Sequence, residues 1–305
     1  MVYCNLVFYH ILNVKLLFFQ KRMKSVAKLF LLGIVLCTTQ AKEKRYRCNT
    51  KVPYFFNDHQ SKSAQQRIVG GEKAPSMIPW QVSLKFLHPS YGSMFHYCGG
   101  TILDEKTILT AAHCKVWKGD KVLAGQTGTN GKTIEVIGVV KNPYNPFNET
   151  SLNNDVLILK LAQSLEFSDK IQPACLPKRK FFPPNGTICY ASGWGTKKYG
   201  GSQGPMVLQY AAIPLISNQD CSIKYTNVTG ITENMICAGR EGVDSCQGDS
   251  GGPLVCIDQD KPIITGIVSF GVGCGWGEFP GVYARVTSFM RWIKAQMEYK
   301  RPIYG

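Results

Sequence analysis

From residue 68 to about residue 285 the chain is a succession of short apolar and β-branched runs. They lie at 81–86, 100–103, 107–110, 133–140, 156–161, 207–214, 253–257 and 263–270, separated by Gly, Pro and Asn. Many short strands with turn residues between them predict an all-β barrel or sandwich. One stretch departs from that pattern. Ser288 precedes Phe289, Trp292, Ile293, Gln296 and Met297, a 3–4 spacing that predicts a single amphipathic helix with a serine cap. There is no internal repeat or low-complexity tract. With 44% hydrophobic and 18% charged residues, 30 Gly and 16 Pro, the composition excludes a disordered chain, a collagen-like repeat and a coiled coil. Past the first 40 residues no uncharged apolar run reaches about 18, which excludes a polytopic membrane protein.

The net charge of +15 raises the question of a nucleic-acid partner. Residues 1–67 carry 12 Lys and Arg against 2 acids, whereas residues 68–305 carry 23 against 18. Two thirds of the excess therefore precedes the region where a basic footprint for DNA or RNA would have to lie. No nucleic-acid partner is expected.

Residues 23–41 read as a signal peptide for secretion. Lys24 and Lys28 supply the positive start, residues 29–37 the apolar stretch, and Thr39-Gln40-Ala41 the small-residue exit. Residues 1–22 hold a second apolar stretch, Leu16-Leu17-Phe18-Phe19, interrupted by Lys15 and closed by Lys21-Arg22. The simplest reading is that translation begins at Met23. A membrane anchor using residues 1–40 is the alternative, although Lys15 and the basic cluster at 21–24 break any full-length span. Residues 42–67 are polar, basic and short, carry Cys48 and end in Gln65-Gln66-Arg67. Twelve Cys point to an oxidising compartment, with a metal protein still open at this stage.

The strongest local signal is Asp244-Ser245-Cys246-Gln247-Gly248-Asp249-Ser250-Gly251-Gly252-Pro253. Glycines on both sides of a serine let the backbone turn sharply and leave Oγ exposed beside amide N–H groups. A serine alone is a weak nucleophile and needs a base and an orienting acid. Upstream stands Thr110-Ala111-Ala112-His113-Cys114. Between the two lies Asn154-Asp155-Val156-Leu157-Ile158-Leu159, where one acid opens an apolar strand. A carboxylate buried there needs hydrogen-bond donors to offset its desolvation.

These three segments, in the order His, Asp, Ser and together with Arg67-Ile68-Val69-Gly70-Gly71, resemble the trypsin-like serine proteases of the chymotrypsin family. The resemblance covers about residues 68–300, and residues 68–305 are expected to be the protease domain. It implies two antiparallel six-stranded β-barrels, the first ending near Cys175, with the catalytic groups in the cleft between them and a C-terminal α-helix. Carried over by position, Ser250 would be the nucleophile, His113 the general base and then acid, and Asp155 the group that orients the imidazole. The amides of Gly248 and Ser250 would form the oxyanion hole. Ser269 matches the position that buttresses the acid and lines the cleft. Phe270 stands where the family usually has Trp, which leaves subsite preference open.

The same resemblance assigns specificity to Asp244, six positions before the serine. An ionised carboxylate at the base of a narrow pocket demands a cation, because an unpaired buried charge costs roughly 3–5 kcal/mol. Gly271 and Gly281 match the pocket walls, and Ser245 would add a hydroxyl suited to Lys and Arg. The expected partners are protein or peptide substrates with Lys or Arg before the cut bond, and protease inhibitors. The expected state is a monomer with no cofactor. A relative that has lost catalysis and only binds is the other reading, and nothing in the residues favours it.

In this family, cleavage after the residue matching Arg67 frees an amine, here that of Ile68, which pairs with the acid before the nucleophile, here Asp249. Residues 42–67 would then be an activation segment, with His96 and Ser83 holding Asp249 elsewhere before the cut. The family's pairing implies disulfides Cys98–Cys114, Cys246–Cys274, Cys189–Cys256, Cys221–Cys237 and Cys48–Cys175, leaving Cys4 and Cys37 to depart with the signal. A zinc site finds no close C-x₂-C or His pairing. Glycosylation acceptors stand at Asn148, Asn185 and Asn227. In some relatives a loop matching about 125–135 binds calcium. Here Gln126 and Thr127 stand with only Glu135, too few carboxylates for a hard cation, so no metal is expected. Gly193-Trp194-Gly195 with Lys197-Lys198 resembles the family's exposed self-cleavage loop.

Overall fold

A computed structural model of the chain describes residues 48, 50–56, 71–128, 131–178, 181–201 and 204–298. The expectations for the signal, the anchor, Arg67 and Ile68 lie outside these residues. Thirteen strands form among the described residues: β1 (Glu72–Lys73), β2 (Gln81–Leu87), β3 (Met94–Asp104), β4 (Thr107–Thr110), β5 (Lys121–Ala124), β6 (Thr133–Lys141), β7 (Leu157–Leu161), β8 (Ile188–Gly193), β9 (Gln209–Ile216), β10 (Met235–Ala238), β11 (Pro253–Asp258), β12 (Lys261–Phe270) and β13 (Gly281–Arg285). Two α-helices, α1 (Asn218–Lys224) and α2 (Val286–Glu298), accompany them.

The strands close into two antiparallel barrels. The first runs in the order β2-β3-β4-β7-β6-β5, with β5 returning to β2. The second runs β9-β10-β13-β12-β11-β8 and closes through the β8–β9 pairing, with β1 added to the outside of β9. Closure leaves no long unpaired edge, which suits a sheet protein of this size. Apolar side chains such as Val82, Leu84, Ile102, Ile108, Leu109, Ile158 and Leu159 are fully buried in the first barrel. Polar groups also cross the seam between the barrels. Ser192 of β8 donates to the Gln81 side chain of β2 at 2.6 Å, and both are buried.

Helix α2 begins at Val286, so Ser288 lies exposed in its first turn and does not cap it. Its apolar face buries Phe289, Trp292 and Ile293 as the spacing predicts. Lys160 of β7 anchors the far end of the helix by donating to the Gln296 carbonyl at 2.7 Å and to Thr107 Oγ1 at 2.8 Å. Helix α1 was not anticipated, although Ser217 caps it by accepting from the Asp220 amide at 3.0 Å. That serine followed three residues later by an acid is a recognisable helix start.

Residues 50–56 also differ from the polar, basic segment expected. Phe55 and Phe56 are only 3% and 2% exposed and join the main apolar core beside Trp80 and Tyr210. Aromatic rings of that size bury enough area to override the polar character of their neighbours. Five disulfides tie the described residues: Cys48–Cys175, Cys98–Cys114, Cys189–Cys256, Cys221–Cys237 and Cys246–Cys274.

Ile158 is fully buried three positions after Asp155. Ile158→Ala is expected to cost about 2–5 kcal/mol of stability, read as a lower urea midpoint at unchanged slope.

Candidate active site

Strand β4 ends at Thr110, and a 3₁₀ turn over Ala112–Cys114 carries His113 away from it. Asp155 sits just before β7, in the register next to β4. Its approach depends on Asn154, which adopts a left-handed conformation at φ 61°. Asn takes this conformation more readily than most residues. The second barrel holds that turn: Asn234 donates to the Asn154 side chain at 2.9 Å and Thr232 to the Asn153 side chain at 2.8 Å. These four residues were not anticipated. The Asn pair immediately before the acid was the available signal.

Asp155 is fully buried and collects three donors. The His113 backbone N–H reaches Oδ1 at 2.9 Å, while His113 Nδ1 and the Ser269 hydroxyl reach Oδ2 at 2.6 Å and 2.5 Å. With Nδ1–H committed to the carboxylate, Nε2 is left as the basic nitrogen. The His113 side chain is 26% exposed, whereas the Asp155 side chain is fully buried.

The serine loop meets this pair from the second barrel. Gly99 N–H donates to the Ser250 carbonyl at 2.7 Å, and Thr110 Oγ1 donates to the Gly99 carbonyl at 2.9 Å. Gly251 turns at φ 75°, so close to Thr110 and Ala111 that no side chain fits there. Cys98–Cys114 staples the strand beside Ser250 to the turn bearing His113. Ser250 Oγ makes no hydrogen bond to His113 Nε2 in this conformation. That contact is often loose without substrate.

Around the serine, the amides of Asp249, Gly251 and Gly252 donate to the carbonyls of Cys246, Val268 and Asp249. Those of Gly248 and Ser250 have no acceptor among the described residues. Two unspent amide donors two residues apart are available to receive a developing negative charge.

Asp249, next to the serine, is 2% exposed. Its carboxylate accepts from Gly195 N–H at 2.7 Å and Cys246 N–H at 2.9 Å, and fits only because Gly193 and Gly195 have no side chains. Burial pushes its pKa up to about 6, against the lowering effect of those two amides. No cation pairs with it among the described residues. The expected hold of Ser83 and His96 on Asp249 is absent. Desolvation drives the His96 pKa down to about 4, leaving a neutral ring. That ring spends Nε2–H on the Gly248 carbonyl at 2.8 Å and accepts from Ser83 at Nδ1, 2.7 Å away.

Asp244 is 3% exposed beneath Gly281, where a side chain would collide with its Oδ1. It accepts from the amides of Ser245 at 2.8 Å and Gly275 at 3.4 Å. Burial raises its pKa to about 7, those amides lower it, and the nearby Asp249 charge adds a smaller rise. A side chain on Gly271 would meet only backbone, the Gly273 carbonyl and Gly281 Cα, each at 3.9 Å, and Cys246–Cys274 ties the chain just after Asp244 to the residue before Gly275. Tyr283, which the sequence does not single out, is fully buried with its hydroxyl 3.2 Å from Ser245 Oγ.

A family model described as Trypsin matches residues 68–293, most of the chain. The chain belongs to the trypsin family. Together with the two barrels, that membership makes it a trypsin-like serine protease by family. In this trypsin-family chain Phe270 packs edge-on against Tyr225 with ring centroids 6.0 Å apart, keeping an aromatic beside Ser269. Glu135, the lone carboxylate of the 125–135 stretch, is bound to Lys121 at 2.6 Å. Cys98, His113 and Cys114 cluster among the described residues, but both sulfurs are spent in a disulfide. Lys197 and Lys198 are exposed.

Asp155→Asn should leave the imidazole in the wrong tautomer and cut peptide turnover by roughly 10⁴-fold. Ser269→Ala removes one of three donors to a charged acceptor and should cost about ten- to a hundredfold in kcat. Steady-state assays with a chromogenic peptide check both.

Proposed function

We propose that the chain is the precursor of a secreted serine endopeptidase that cuts after Lys or Arg and is activated by cleavage between Arg67 and Ile68. The observation that carries the specificity is Asp244, a buried carboxylate with amide donors but no cationic partner among the described residues. Its burial makes it costly to leave ionised and unpaired, so a Lys ammonium or Arg guanidinium entering the pocket gains what water cannot supply. Gly281 and Gly271 leave room for the long side chain to reach it.

In the reaction, Ser250 Oγ attacks the carbonyl of the bound Lys or Arg residue while His113 Nε2 takes its proton. The carbonyl oxygen becomes an oxyanion received by the Gly248 and Ser250 amides. His113 then gives the proton to the departing amine, leaving an acyl-enzyme. A water, deprotonated by the same nitrogen, releases the product acid and restores the serine. Asp155 stabilises the transient imidazolium throughout and keeps its proton on Nδ1.

Activation follows the same logic of charge. Asp249 is ready for a cation, and the free amine of Ile68 is the one that cleavage after Arg67 creates. The pair would fix the loop that presents Gly248 and Ser250. Secretion is supported by the five disulfides, which persist in oxidising compartments. Asn148, Asn185 and Asn227 are all exposed, as glycan acceptors must be. No helix among the described residues is long and apolar enough to cross a membrane.

Two experiments test this reading. A fluorophosphonate probe should label Ser250 in wild-type protein after cleavage at Arg67 and leave Arg67→Gln protein almost unlabelled; full labelling of the uncut form would overturn the activation scheme. Benzamidine stays cationic across neutral pH, so its affinity reports the charge on Asp244. Inhibition should weaken by about tenfold per unit as pH falls below about 7, because the protonated acid no longer attracts the cation. Asp244→Asn should abolish both the affinity and its slope.

A further inference from the structure

We propose that Phe55 and Phe56, in the segment that activation would sever from the protease domain, are positioning residues for the oxyanion loop of the mature enzyme. This rests on the activation scheme above and adds a role for the severed segment beyond its origin.

The cut would leave residues 48–56 attached through Cys48–Cys175, and Thr50 donates to the Pro173 carbonyl at 2.6 Å beside that bridge. Attachment requires no more than this. Yet the segment also drives two aromatic rings into the core while Tyr54, their neighbour, stays 65% exposed. The rings meet different strands. Phe55 packs against Tyr210 at 4.8 Å, and Phe56 stacks parallel on Tyr190 at 4.0 Å. Tyr190 completes the contact by donating its hydroxyl to the Phe56 carbonyl.

Both partners lead to the activation site. Tyr210 lies opposite Glu72 of β1 on one side and Ser192 of β8 on the other, and its hydroxyl donates to the Glu72 carboxylate at 3.2 Å. Strand β1 starts four residues after Ile68, so its seating sets how the new N-terminus sets off. Tyr190 belongs to β8, whose last residue Gly193, with Gly195 beyond it, forms the wall around Asp249. The Gly195 amide donates to that carboxylate. One aromatic cluster thus braces the strand that delivers the amine and the strand that shapes its receptor. Removing the brace relaxes the amine–Asp249 pair without touching the substrate pocket or His113.

The test uses the cleaved two-chain enzyme. Wild type, Phe56→Ala, Phe56→Tyr and Tyr190→Phe are compared for kcat and KM from pH 6 to 11, and for the rate at which cyanate carbamylates the Ile68 amine. Phe56→Ala should move the alkaline limb of kcat down by about one pH unit, a roughly tenfold weaker amine pairing, and speed carbamylation to match. Phe56→Tyr should restore both. Tyr190→Phe, which keeps the ring and loses the hydroxyl that donates to the Phe56 carbonyl, should shift the limb in the same direction by less. A lower melting temperature with limb and carbamylation unchanged would overturn the proposal. If Phe56→Ala does not fold, Tyr190→Phe decides alone, and an unshifted limb is the overturning result. Wild-type enzyme that keeps full activity with its Ile68 amine carbamylated would overturn the activation scheme itself, and this proposal with it.

Discussion

A carboxylate with no exposure to water lies at the seam of two barrels, and the site is arranged around keeping it solvated by protein. Asp155 obtains that from three donors, two on one turn of the first barrel and one on a strand of the second: the His113 amide, the His113 ring and the Ser269 hydroxyl. Losing any of them leaves buried charge short of a partner, which is far costlier than losing a hydrogen bond at the surface. The requirement fixes the rotation of the imidazole and the spacing between the barrels together. It also explains why the loop before Asp155 is itself bonded to Thr232 and Asn234 across the interface.

Two other carboxylates are buried almost as deeply and are treated differently. Asp244 and Asp249 receive backbone amides but no cation among the described residues, and burial raises the pKa of each, to about 7 and about 6. The contrast separates a finished electrostatic arrangement from two that are open. One open site lies against Gly281, and the other against the chain's own Gly193 and Gly195. A cation arriving at either lowers the cost of the charge already in place.

The segment 50–56 belongs to the same economy of burial. Two phenylalanines occupy space that Trp80, Tyr190 and Tyr210 would otherwise expose, so the barrel domain and the residues preceding it share one core. Polar composition hid this, because the seven-residue stretch is too short for any periodicity to emerge.

Much of the architecture was legible in the residues themselves. Alternating β-branched runs bounded by turn residues determine strands locally, since side-chain period and turn chemistry act over a few positions. Strands such as β8 and β10, built partly from Cys, Ala, Ser and Gly, carry little of that signal and form because their neighbours bury them. The glycine-flanked Ser250 and the lone acid opening 155–161 likewise announced chemistry, as residue type alone limits what those positions can do. Tertiary structure decided the rest. Whether His96 bonds a carboxylate or a carbonyl, whether Asn154 turns left-handed, and whether Phe55 and Phe56 lie inside or out all depend on groups more than 70 residues distant in the chain. Local sequence fixes which conformations and bonds are available, but desolvation is a property of what packs around a group, and only the folded chain brings those neighbours together.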